Sequence, residues 1–219
     1  MSWFNKVRNY IVGGQSGQAA RPLAEMALWE RFAGQANTEG VLQQKGEALG
    51  ELLEHHIAQN SVPILLQSLL ENDQVHVDPN RIWIAVLEMA AALMHIFDTR
   101  AMILLREEKA ARAFNMALFV TLMERLRAFL QVEDKDDFMD AFLEIVKKRG
   151  AEYLPLRDWK RNGPDQSGTL SEAYGRHVAE ALGITDPKVA AGAIQYVTAL
   201  TEAVRCSVHV DELLAVPQP

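Results

Sequence analysis

The side chains here that could do chemistry are mostly carboxylates and imidazoles, 29 acidic residues and six histidines. Helical spacing sorts several of them into pairs. Glu51 and His55 stand at i, i+4, Glu88 and His95 two turns apart, and His95 with Asp98 and His177 with Glu180 at i, i+3. Each pair would bring two ligands to one helix face, as zinc and harder cations require, and helical bundles build di-metal centres from such faces. One enzymatic reading follows: a metal-dependent enzyme with Glu88, His95 and Asp98 as ligands, joined by Glu51 or His55 from a neighbouring helix. The same sequence argues against it. No Glu-x-x-His recurs on two helices and no His-Glu-x-x-His occurs. Glu47, Glu51, Glu54 and His55 read as one solvated face, and Glu88 and His95 lie opposite a much broader apolar arc, where solvent is expected.

A second chemistry is anion binding. Lys147, Lys148, Arg149, Arg157, Lys160 and Arg161 outnumber Glu152 and Asp158, with Tyr153 and Trp159 interleaved. A basic loop with stackable aromatics can hold a phosphate, another anion or a single strand of nucleic acid, and Arg157, Lys160 and Arg161 are the residues to carry it. The plainer reading gives Lys147, Lys148 and Arg149 to a helix C-terminus, whose dipole favours cations. A net charge of −7 argues against a general nucleic-acid binder.

Nucleophilic and nucleotide chemistry find little support. Cys206, the single cysteine, has His209 three residues on, but a lone thiol on an amphipathic helix is usually a small hydrophobe. There is no Gly-x-Ser-x-Gly elbow, P-loop or GxGxxG. One cysteine allows no internal disulfide and no cysteine-based zinc site, which suits a reducing, cytoplasmic compartment. Residues 1–12 are amphipathic, with Lys6 and Arg8 as their charges. They are expected to dock on protein rather than on an anionic membrane surface, for which two cations are few. Glu88, His95, Asp98 and Arg100 interrupt the apolar runs, which argues against a membrane span.

The elements that must position these groups are all helical. From Asn80 to Arg149 there is neither glycine nor proline, the two strongest breakers of regular structure. Ile82, Trp83, Val86, Met89, Ala90, Leu93, Ile96 and Phe97 share one arc of a helical wheel. Pro79 to Gln131 as one helix would measure about 80 Å, too long for a globule with a radius of gyration of roughly 17 Å. A break is therefore expected, with Asp98-Thr99 favoured over REEKAA, whose residues are strong helix formers. Upstream, residues 1–19, an amphipathic segment followed by a glycine-rich joint, precede the helical domain at 20–219. A helix then runs from Thr38 to Gln59, and a short one is capped by Ser61. Downstream, Asp136 or Asp137 caps a helix stopped by Gly150, Thr169 and Glu172 form a capping box, and Asp186-Pro187 opens the last long helix. Gly46, Gly50 and Gly192 suggest close helix contacts. The tail after Ser207 is expected to fray. The fold class is all-α, a single-domain bundle of about eight helices around a long central segment.

If the central arc continues unbroken it collects Arg100, Glu107, Glu108 and Asn115. Unpaired charges in a core are too costly to persist, so these residues mark an interface between helices or subunits. With no catalytic motif elsewhere, the leading expectation is a non-enzymatic interaction or assembly module that associates with itself or another protein.

Overall fold

Aspartate caps begin two of the helices, and left-handed residues end two others. The computed structural model describes residues 30–70, 81–154 and 169–215. Among these the protein is all-α: α1 (Glu39–His55), α2 (Val62–Leu70), α3 (Ile82–Leu105), α4 (Glu108–Leu130), α5 (Lys135–Tyr153), α6 (Thr169–Ala181), α7 (Pro187–Ser207) and the one-turn α8 (Val210–Leu214). Residues 1–29, with the proposed domain boundary, lie outside the described residues. So do Arg157, Lys160 and Arg161, and the side chain of Cys206.

Several starts follow the sequence. The Thr38 hydroxyl accepts from the amide of Val41, and Asp186 accepts from the amides of Lys188 and Val189 with Pro187 in the first turn. At α5 the cap is Asp134, which accepts from the amides of Asp136 and Asp137; the two residues expected to cap are the ones being capped. Ser61 is not a cap either. The chain passes from α1 to α2 through a π-helical turn, His56–Ser61, in which Ser61 Oγ donates to the His56 carbonyl at 2.8 Å. Pro63 explains the widening: it has no N–H, and its ring clashes with the carbonyl four residues back in a regular α-helix.

The long central segment breaks at Arg106-Glu107, not at Asp98-Thr99. Arg106 adopts a left-handed conformation (φ 58°) and Glu107 is extended. Thr99 stays helical by donating to the His95 carbonyl at 2.7 Å, and Asp98 accepts from Asn115 Nδ2 of α4 at 2.6 Å. The residue read as a cap instead joins two antiparallel helices.

α3 runs through the middle, packed by α4, α5, α6 and α8. It is long and apolar enough to cross a membrane by composition, contrary to the sequence expectation, but 72 % of its most apolar window is buried by the chain's own helices. That is the position of a core helix. Phe97, Phe114 and Phe142 are fully buried there, each worth about 1.5–3 kcal/mol of apolar burial. α1 packs most extensively on α4. There a Cβ on Gly46 would fall inside the van der Waals shell of the Phe114 carbonyl oxygen and 3.0 Å from Leu118 N. The close approach of α6 and α7 uses Gly175 against Ile194, whereas Gly192 faces open space. α8 does not fray: Leu213 and Leu214 are buried, and Asn37 Nδ2 donates to the Leu214 carbonyl at 2.9 Å.

Candidate functional site

The chief concentration of buried polar groups among the described residues lies where α3 crosses α5 and α6. Glu88 and His95, two turns apart on α3, face inward with 6 % and 8 % of their surface exposed. This overturns the solvent-face expectation. α3 is covered nearly all round, so its narrow polar stripe meets other helices. Between the two, Ala92 leaves room for the rings of Tyr153 and Tyr174.

Arg149 of α5 provides the countercharge. Its Nε donates to Glu88 Oε2 at 2.8 Å and its Nη2 to Glu88 Oε1 at 2.6 Å, the two-pronged geometry that fits guanidinium to carboxylate. Its Nη1 donates to both Glu152 oxygens, at 3.1 and 2.9 Å. Burial alone would lower the Arg149 pKa, but the hydrogen bonds and charge of Glu88 outweigh it and push it up. Glu152 extends the network to α6, where His177 Nε2 lies 2.9 Å from Glu152 Oε2 and His177 Nδ1 lies 3.5 Å from Glu180 Oε2. Burial, then Arg149, lower the His177 pKa against the opposing pull of Glu152, Glu88 and Glu180. For Glu152, burial is outweighed by Arg149, and its carboxyl is held below the usual range.

Aromatic edges close the cluster. Tyr153 and Tyr174 meet edge to face at 4.6 Å, and His95 meets Tyr153 at 5.1 Å. The Tyr153 hydroxyl is fully buried without a hydrogen-bond partner, and burial first, then Glu88, raises its pKa.

A histidine oriented by a carboxylate is a familiar half of an acid–base pair. Here, however, the carboxylates, the histidine and the arginine engage one another across three helices, with His177 Nδ1 buried and without a hydrogen bond. The arrangement holds helices in register.

The other expected sites are dispersed. Glu51 pairs with Arg125 of α4 and Asp98 with Asn115, so neither joins Glu88. His55 lies edge-on to His56 at the π-helical turn. No group of three or more histidine, cysteine, aspartate or glutamate side chains among the described residues is arranged to share a metal ion. Of the basic segment, Arg149 is turned inward, while Lys147 and Lys148 are exposed. Of the residues expected at an interface, Arg100 pairs with Asp211 of α8 and Asn115 with Asp98, both inside the chain. Glu107 and Glu108 are exposed at the α3–α4 turn.

Lys45 escaped the sequence reading. It is 1 % exposed in the middle of α1, its Nζ donates to Asn37 Oδ1 at 2.7 Å, and burial lowers its pKa. Through Asn37 it reaches the α8 carbonyl of Leu214. A cleft of about 240 Å³ between α2 and α7 is lined by Leu65, Leu69, Lys188, Val189, Gly192, Ala193 and Tyr196. It lies below the usual range of small-molecule sites.

The outer face of the α3–α4 hairpin differs from all of these. Met102, Met116 and Val120 are 42 %, 59 % and 39 % exposed. Lys109, Arg112 and Glu124, also exposed, frame the two on α4. No protein-family model matches this chain, and no curated protein or solved structure matches it either.

Proposed function

We propose that the protein is a non-enzymatic interaction module that associates with a second copy of itself. The observation that supports this reading is the exposed apolar pair Met116 and Val120, one turn apart on α4, with Met102 of α3 also exposed. In the same molecule, the side chains best suited to acid–base or ligand chemistry are engaged with one another in the interior. The contact surface therefore moves from the polar residues on the sequence's apolar arc, of which Arg100, Glu108 and Asn115 have partners inside the chain, to the hairpin's outer face. A cytoplasmic location is part of the proposal and rests on the single cysteine.

Sedimentation velocity over a wide concentration range tests it. A mass that rises reversibly from one chain towards two is expected. A single chain at every concentration overturns the proposal.

A further inference from the structure

We infer that α4 is the self-association element and pairs antiparallel with α4 of a second copy. The inference rests on the proposed self-association and specifies its geometry.

The outward face of α4 has a charge order that reads differently at its two ends. At 100° per residue, Lys109, Met116, Val120 and Glu124 share that face, with Arg112 at its edge. The N-terminal turns carry Lys109 and Arg112 and the C-terminal half carries Glu124, with Met116 and Val120 between them, one turn apart. Arg127, at the angle of Lys109, is half-buried and donates to the Val132 carbonyl at 3.2 Å. A two-fold axis crossing the helix near Ala117 places Lys109 and Arg112 opposite Glu124 of the second copy, and the reverse. It also lays Met116 and Val120 on their counterparts. A parallel pair would set cation against cation and carboxylate against carboxylate, so charge selects the antiparallel arrangement.

The groups are free to change partners. Lys109 touches Glu39 at 2.8 Å, Arg112 touches Glu108 at 3.5 Å and Glu124 touches Lys135 at 3.4 Å, each pair largely exposed. Exposed ion pairs contribute little to a fold, so exchanging them for pairs beside a newly buried apolar patch costs little. Lys109 also sits in the first turn of α4, where a cation opposes the helix dipole; the carboxylate of a second copy would relieve this. The face is small, so the dimer belongs among weak, concentration-dependent associations.

Charge reversal tests the geometry in the full chain. Lys109→Glu with Arg112→Glu, and separately Glu124→Lys, should each weaken the homodimer about tenfold by sedimentation. An equimolar mixture of the two variants should restore it, since each then offers the sign the other lacks. In a Cys206→Ser background, Met116→Cys lies close to the axis and should cross-link to itself under mild oxidation. Circular dichroism melting confirms that each variant is folded. If the wild type dimerises but the charge variants are unaffected and Met116→Cys does not cross-link, the α4 geometry is wrong while self-association stands. If the wild type is a single chain throughout, both fall.

Discussion

Two helix seams in this molecule solve the same packing problem in opposite ways. Between α1 and α4 the backbones come close because Gly46 and Gly50 have no Cβ to keep them apart, and the filling is Leu42, Leu49, Leu53, Phe114, Leu118 and Leu122. Between α3 and the α5–α6 pair the filling is Glu88, Arg149, Glu152 and His177 with two tyrosines. The first seam is specified by shape, and the second by which charge meets which. An apolar seam tolerates a slip at the cost of contact area. A seam carrying a buried ion pair does not, because a slip leaves both charges unpaired.

Separating the charges is therefore expected to have the largest effect. Arg149→Met strands Glu88 in the interior and should destabilise the fold by about 3–5 kcal/mol in denaturant unfolding. Glu88→Leu combined with Arg149→Met removes both charges and should recover most of that loss. If the single and double variants are equally unstable, the arginine matters for its packing alone, and the contrast between the seams disappears.

At the other seam the corresponding change is a methyl group. Gly46→Ala places a carbon against the Phe114 carbonyl, a backbone atom that no rotamer change can move aside. The expected loss is about 1–3 kcal/mol, despite the higher helix propensity of alanine. Gly40→Ala, on the same helix and facing open space, should instead gain up to about 1 kcal/mol. Equal effects at the two positions would mean that α1 and α4 are not held at the distance described.

The two seams were not equally legible in the sequence. Gly46 and Gly50 lie one turn apart on a helix with an apolar face, and that pattern announces a close approach. The charged seam was hidden by one local rule. Gly150 is a plausible helix stop, so Arg149 read as a cation at a helix end, and Glu152 and Tyr153 fell into a loop. In the structure α5 continues to Tyr153. The roughly 1 kcal/mol cost of a helical glycine is offset by burying Tyr153 and pairing Arg149. Once that turn is lost from view, Glu88 has no partner and a single-helix wheel assigns it to solvent. The break at Arg106 was equally unreadable: no glycine marks the left-handed residue, and tertiary contacts between Asp98 and Asn115 keep the favoured site helical.

Acid should separate the seams by the smallest effect, and the sign follows from His177. Burial and Arg149 hold its folded pKa below the ordinary value of 6.5. Between those two values the unfolded chain binds the extra proton, so stability is full above pH 6.5 and falls as pH drops through that window. Glu152, with its pKa lowered from 4.5, adds a second loss at lower pH. The shifted group of this range at the α1–α4 seam is Glu54, whose pKa burial raises against the pull of Arg125, so acid favours that seam instead of loosening it. Hydrogen exchange, corrected for its intrinsic pH dependence, should therefore speed up in α5 and α6 just below pH 6.5 while α1 and α4 stay protected. His177→Gln should abolish that first step and leave the lower one. If all four helices loosen together, the molecule opens as one cooperative unit, and the seams differ in chemistry but not in independence.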